Sequence, residues 1–282
     1  MISILIPTFN NLNYLKIAVD SINKNTQDLN FEILLHINDG SDGTLDYAKL
    51  NNLQYTHSNS NLGLCSAINL ISKKANFEYL LYSHDDMYFC PGWDKALLKE
   101  LKTLKNNLFY FSGTMIEQKS AHISADFGAS IDDFDETKLL NHYNEIPYFD
   151  HQGSHFAPHL VHKETWNKVG GFSEEFNPGM GSDPDFNMKL WQNNVRIFKG
   201  LNDFRVYHFA SITTRKKIGF LRNDGDKTFL KKWGISIKFF KEFYLRSNTK
   251  YNGPLPLPNK SLKYYFKLFL CKINYIFCKF KS

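Results

Sequence analysis

The chain has 282 residues, 43% hydrophobic, 16% aromatic and 22% charged, which suits one large folded domain with an appendage and argues against disorder. No run approaches ~18 uncharged apolar residues, so no membrane-spanning helix is expected; Cys65, Cys90, Cys271 and Cys278 form no CxxC pair, which argues against a disulfide scaffold or zinc ribbon and for reduced thiols in a cytosol. The net charge of +6 is uneven, because residues 205–282 hold 18 Lys and Arg against three acids while residues 1–204 hold 16 against 25.

A basic tail on an acidic body is expected to meet something anionic, whether phosphate, nucleic acid or lipid. The first residues show neither a basic leader nor a small-residue cleavage site, so a secretory signal is not expected. Residues 2–6 form a buried-strand run ended by Pro7, and Leu15, Ala18, Val19 and Ile22 then recur at helical spacing. Residues 31–37 form a second strand run, closed by the turn cluster 38–43. A short third strand is expected at 53–57, followed by a helix carrying Leu64, Ala67, Ile68 and Ile71. A fourth strand run, 77–82, stops at His84-Asp85-Asp86. Trp93, Leu97, Leu101 and Leu104 line the next helix, and 108–112 reads as a fifth strand.

This alternation predicts an α/β fold, a mostly parallel central sheet with helices on both faces. Ligands of such sheets bind outside the carboxyl ends of the strands. The polar clusters at 7–10, 38–44 and 84–86 all fall at those ends. Residues 117–160 break the pattern and are expected to form a long irregular excursion near the site. A helical stretch at 163–169, a helix from about Asp183 through Trp191, and strands at 195–198 and 204–208 follow. Residues 248–260, with three prolines, read as a linker. Beyond it Leu262, Tyr265, Phe266, Phe269, Ile273, Ile276, Phe277 and Phe280 fall on one helix face, flanked by lysines and without acids. That is the form of an interfacial amphipathic helix, and 261–282 is expected to attach to an anionic membrane surface. Packing back on the body, or against a second copy, are the other uses of such a face.

Asp85-Asp86 after a strand suits oxygen ligation of a hard divalent ion beside phosphate, although the pair also suits the cap of the following helix. Asp183 can likewise be a base or a helix cap. Four histidines, His151, His155, His159 and His162, have metal-like spacing, but no cysteine or carboxylate joins them, so no metal cluster is expected there. Arg215, Lys216, Lys217 and Arg222 form either a diphosphate clamp or a solvated basic surface.

Taken together, the chain resembles a family 2 glycosyltransferase of the GT-A fold. The resemblance rests on Ile4-Leu5-Ile6-Pro7-Thr8-Phe9-Asn10, Asn38-Asp39-Gly40-Ser41-Asp42-Gly43-Thr44 and Asn61-Leu62-Gly63 with Asn69. It continues through His84-Asp85-Asp86 with Pro91-Gly92-Trp93, Val169-Gly170-Gly171-Phe172 and Ser182-Asp183-Pro184-Asp185-Phe186. Tyr207-His208 and Lys231-Lys232-Trp233-Gly234 complete it. It covers roughly residues 1–235: a nucleotide-binding half to about 115, then an acceptor-binding and catalytic half. Residues 236–282 would be a basic helical extension.

The resemblance implies an inverting, metal-dependent transfer of one sugar from a UDP- or dTDP-sugar to a saccharide or lipid-linked saccharide, in cell-surface polysaccharide biosynthesis. It places Pro7, Thr8, Phe9, Asn10, Asn61 and Gly63 along the nucleotide and Asp39 on the base. Asp85 and Asp86 match the metal and ribose motif, His208 a further ligand of Mn2+ or Mg2+, and Asp183 the catalytic base. Ser182 stands where an acidic residue usually precedes that base. Arg215 and Arg222 fall in a loop that closes over the donor, and Gln152, His155, Trp93 and Asp185 are acceptor-side candidates, although Trp93 suits core packing better and Asp185 equally suits a structural hydrogen bond. The processive signature Gln-x-x-Arg-Trp is absent, which favours single transfer. A sugar-phosphate nucleotidyltransferase would carry a Gly-rich basic loop after the first strand, which Pro7-Thr8-Phe9-Asn10 is not. A noncatalytic sugar binder would have no need of both Asp86 and Asp183. Nucleic acid is not an expected partner, since the basic residues gather beside an apolar helix face.

Overall fold

Strand β1 (Ile2–Phe9) is apolar on both faces, with Ile2, Ile4, Leu5 and Ile6 fully buried, and such a strand is stable only inside a helix-covered sheet. The computed structural model, which describes residues 1–119, 121–153, 156–209 and 224–280, places it there. After β1 come α1 (Leu12–Asn25), β2 (Phe31–Asn38), α2 (Thr44–Leu50), β3 (Gln54–Ser58), α3 (Leu64–Ser72) and β4 (Tyr79–Tyr82). β1 lies between β2 and β4, parallel to both, and β3 extends the parallel set beyond β2. The carboxyl ends of β1, β2 and β4 therefore open on one edge.

The second half is mixed. It holds β5 (Met87–Phe89), α4 (Trp93–Leu101), β6 (Phe109–Glu117), β7 (Ile123–Ser124), α5 (Glu136–His142), β8 (His151–Gln152) and β9 (His159–His162). It continues with α6 (Lys163–Val169), α7 (Ser182–Gln192), β10 (Ile197–His208), α8 (Gly225–Trp233), α9 (Ile237–Phe240) and α10 (Leu262–Phe280). The sheet order among the described residues is β3-β2-β1-β4-β9-β6-β10-β5, with β7 beside β6 and β8 beside β10. β9 runs antiparallel to both β4 and β6, whereas β10 is parallel to β6 and antiparallel to β5.

Three expectations need correction. The strands expected at 195–198 and 204–208 are one strand, β10, with an irregular register between Leu201 and Arg205. The excursion at 117–160 is not irregular throughout, since it contains β7, α5 and β8 and runs into β9. α5 escaped notice because Leu139 is its one buried residue, too little for a periodic stripe. The stretch 248–260 is fastened to the body rather than free: Gln152 N–H donates to Thr249 O at 2.7 Å, Tyr251 N–H to Asp150 O at 2.7 Å and Leu255 N–H to Arg196 O at 2.8 Å.

The core also extends through 236–245, where Phe239, Phe240 and Leu245 are buried with the sheet residues. Trp93, a candidate for an acceptor sugar or for the core, is fully buried in the core, with its ring 5.0 Å from Phe89 and 5.6 Å from Phe204. Trp93→Ala should remove about 3–5 kcal/mol of stability in a urea titration and leave acceptor affinity unchanged in the fraction that folds. An unchanged midpoint would contradict the core assignment.

Candidate active site

A cavity of about 580 Å3 opens at the carboxyl edge of the parallel strands, a size typical of sites for small molecules. The end of β1 supplies Pro7, Thr8 and Phe9 to its wall, and Asn38 comes from the end of β2. The turn after β4 adds His84, Asp85 and Asp86. The start of α7 faces them with Ser182 and Asp183, and the start of α8 with Asp224 and Asp226. Residues far apart in the chain are thus gathered by strand ends and helix starts, as expected for an open α/β sheet.

The approach of α8 depends on glycine. A Cβ at Gly225 would collide with the Met180 carbonyl, so the backbones of 180–181 and 225 touch only because Gly225 has no side chain. Behind them Asp185, with no exposed surface, accepts from Trp233 Nε1 at 2.8 Å and pairs with Lys232 Nζ at 2.9 Å. Lys231-Lys232-Trp233-Gly234 therefore holds α8 against α7, and Asp185 makes the structural hydrogen bonds that do so.

His84, Asp86 and His208 bring one ligand atom each to within 4.8 Å of one another. Two devices bring His208 there. β10 pairs with β5 so that His208 stands opposite Met87, and Phe209 N–H donates to Asp86 O at 3.1 Å. His208 Nε2 then lies 3.2 Å from Asp86 Oδ1, and His84 Nδ1 lies 3.9 Å from the same oxygen. On the other side of the ring, His208 Nδ1 meets Glu117 Oε1 at 2.6 Å. Burial pulls the His208 imidazole down, but the Asp86 and Glu117 carboxylates reverse this and hold it up at about 10. Burial likewise opposes the Asp86 carboxylate, yet His208 and His84 keep it below its ordinary value. His84 itself is lowered to about 4, by burial and by His208 against the pull of Asp86. An imidazole backed by a carboxylate and facing a second carboxylate is the arrangement that orients a metal-binding histidine. The donor set fits a divalent cation.

Asp183 is the other electrostatic centre. It sits second in α7, whose N-cap is Gly181 in the left-handed region. It is therefore not the cap residue of α7, and Oδ1 is buried without a hydrogen-bond partner among the described residues. Burial alone raises its carboxyl from 3.8 to about 7. A buried carboxyl that titrates near neutrality, on a cavity wall, is poised to take a proton.

Not every expected residue reaches the cavity. Asn61 lines it, and its Oδ1 accepts from Gly63 N–H at 2.9 Å. Gly63 does not line it; a Cβ there would meet Asn177 Oδ1 at 2.5 Å, so the glycine is needed where α3 starts. Asn10 and Asp39 flank the wall, joined by Asn10 Nδ2 donating to Asp39 Oδ2 at 2.8 Å. Asp85 is on the wall and 8% exposed, but His84 rather than Asp85 joins the three-residue cluster. Gln152, 4% exposed, anchors the 249–253 segment: its Nε2 donates to Phe198 O at 3.3 Å and its Oε1 accepts from Asn252 N–H at 3.2 Å. His155, Arg215 and Arg222 lie outside the described residues.

The sequence reading missed Glu117 and the ligand position of His84. His84 carried a signal, an imidazole two residues before Asp86. Glu117 carried none, because its partner lies 91 residues away.

The family model described as "Glycosyl transferase family 2" matches residues 3–158. A glycosyltransferase of Rickettsia felis is 32% identical over 131 residues, covering 44% of this chain and 21% of that protein. One of Rickettsia typhi is 33% identical over 126 residues, covering 43% and 38%. The chain thus matches well under half the length of these relatives. TarS of S. aureus superimposes with a TM-score of 0.59 at 14% identity, covering 98% of this chain and 71% of that one. GalNAc-T7 with UDP, GalNAc and Mn2+ gives 0.60 at 16% identity, covering 86% and 49%. At these identities the two structures establish the fold.

Proposed function

The chain belongs to glycosyl transferase family 2, and from that membership we propose that it transfers one sugar from a UDP- or dTDP-sugar, with inversion, to a saccharide or lipid-linked saccharide. One observation carries the reading: Asp86 and Asp183 line the same cavity. Had they stood on opposite flanks, no single reaction would use both. Solved neighbours hold UDP with Mn2+, or UDP-GlcNAc, which supports a nucleotide-sugar donor. We place the reaction in the cytoplasm, in cell-surface polysaccharide biosynthesis.

The residues divide the work by charge. Pro7, Thr8, Phe9, Asn38 and Asn61 wall the nucleoside, and Asp39 accepts from an N–H of the base, which suits uracil or thymine. His84, Asp86 and His208 would hold Mn2+ or Mg2+, and imidazole donors favour Mn2+ of the two. Such an ion supplies positive charge to the departing diphosphate. Glu117 keeps the His208 ring turned toward Asp86. Asp85, beside the cluster, would meet the ribose or the ion. The Asp183 carboxylate takes the proton of the acceptor hydroxyl as oxygen attacks the anomeric carbon. A single in-line displacement inverts that carbon and needs no carboxylate nucleophile.

A panel of nucleotide sugars, incubated with Mn2+ or Mg2+ and assayed for free nucleoside diphosphate, tests this directly. Release from a UDP- or dTDP-sugar, raised by a saccharide acceptor, is the expected result. Pyrophosphate release from a nucleoside triphosphate and a sugar phosphate would instead make the chain a nucleotidyltransferase. Donor binding without any release would make it a noncatalytic binder.

A further inference from the structure

Helix α10 has two apolar faces, and among the described residues the body packs on one. Tyr264 and Cys271 are buried, and Leu268, Tyr275 and Cys278 pack beside them. Their spacing of three and four residues defines a single stripe, laid against α8 and α9. Ser236 N–H reaches Cys271 Sγ at 3.5 Å, and Glu242 pairs with Lys263 at 2.8 Å and with Lys267. The opposite stripe carries Leu262, Tyr265, Phe266, Phe269, Ile276 and Phe277. All six are more than half exposed, the three phenylalanines by 63%, 59% and 61%. The helix is therefore held in place by one face and presents the other outward.

We infer that this outward stripe is a membrane-docking surface for anionic lipid. Three observations select that occupant. None of the described residues covers the stripe, because the described contacts of α10 with the body come from its reverse side. Lysines border it: Lys263 and Lys267 on one side and exposed Lys272 on the other, with exposed Lys260 just before the helix and no acid within it. Glu242 neutralises part of the first border and leaves Lys260 and Lys272 with no ion pair among the described residues. Finally, aromatic rings above flanking lysines match the acyl–headgroup boundary, where rings insert and ammonium groups meet phosphate. No helix among the described residues is long and apolar enough to cross a bilayer, so the helix lies along the surface.

The placement also constrains the reaction. α8 packs on α10 and begins at the cavity wall with Asp224 and Asp226. Docking the stripe on a membrane would hold the cavity at a fixed offset from the lipid, which a lipid-linked acceptor requires. This last step rests on the transferase reading; the docking itself does not.

Flotation of the full chain with vesicles tests the docking. The wild type should bind phosphatidylcholine vesicles containing phosphatidylglycerol and leave pure phosphatidylcholine largely unbound. The triple variant Phe266→Asn, Phe269→Asn, Phe277→Asn should partition at least about tenfold more weakly. Lys260→Gln and Lys272→Gln should each weaken it about fivefold. Exposed substitutions leave folding intact, which circular dichroism and release of nucleoside diphosphate confirm. Failure of the wild type to float, or equal flotation of the triple variant, would overturn the inference without touching the transferase reading. A wild-type dimer that the triple variant renders monomeric, with no flotation of either, would assign the stripe to a second copy. Deleting 261–282 is a poorer test, because it also strips Tyr264 and Cys271 from the core.

Discussion

Asp183→Asn should lower sugar transfer by about 10²–10⁴-fold while donor affinity stays within about twofold. The amide keeps the shape of the carboxyl but cannot take the acceptor proton, so the loss falls on the chemical step. The same change should stabilise the fold at alkaline pH. In the unfolded chain the carboxyl titrates near 3.8, and in the fold burial moves it to about 7. Between those values the folded protein holds a proton that the unfolded chain has shed. The group's favourable contribution is therefore full below 3.8 and is lost as pH rises through 7. The asparagine variant has no such loss. Its Tm relative to wild type should climb between about pH 4 and about pH 7 and level off above, by an amount corresponding to roughly 4 kcal/mol over the full window, while the buried amide's own desolvation shifts the whole curve without changing the climb. A stabilised, inactive, donor-binding variant is the signature of a buried base; a destabilised one would make Asp183 a structural residue. In the wild type the acid limb of transfer should fall with an apparent pKa near 7.

Asp86→Ala should weaken Mn2+ binding by at least about 100-fold and abolish metal-dependent donor binding, because it removes the one carboxylate of the three-residue cluster. Glu117→Gln should weaken the ion by about 10–100-fold without touching it. The glutamine still accepts from the ring but brings no negative charge to the far side of His208. Manganese titrations followed by electron paramagnetic resonance separate the two, and neither needs turnover. Equal Mn2+ affinity in Asp86→Ala and wild type would remove the ion from this site. An unaffected Glu117→Gln would confine Glu117 to packing.

The parallel half of the sheet was legible because β1, β2 and β4 are short apolar runs separated by helices with clear stripes, and the periodicity is strong there. The polar residues at their ends follow from topology, which is why Asp86 and Asn38 were found beside one cavity. The antiparallel insertions were harder. β9 is four residues, bounded by His159 and His162, and is buried only because β4 and β6 close on both sides of it. β5 is three residues long, and nothing local announces its pairing with β10, which delivers His208. Gln152 and Trp93 were open between two uses for one reason: polar and aromatic side chains serve loops and cores as well as sugars, and only tertiary contacts decide. In α10 the outward stripe was visible, but the docked one was hidden, since two tyrosines and two cysteines around a single leucine make a weak hydrophobic signal.

The His84, Asp86 and His208 cluster and the cavity beside it should bind a nucleoside diphosphate together with a divalent cation. Isothermal titration of UDP into the wild-type chain, once with Mn2+ and once with EDTA, addresses it without knowledge of donor sugar or acceptor. Saturable binding with Mn2+ that EDTA weakens at least about tenfold is the predicted result. Absence of binding in both, or equal binding in both, would contradict it.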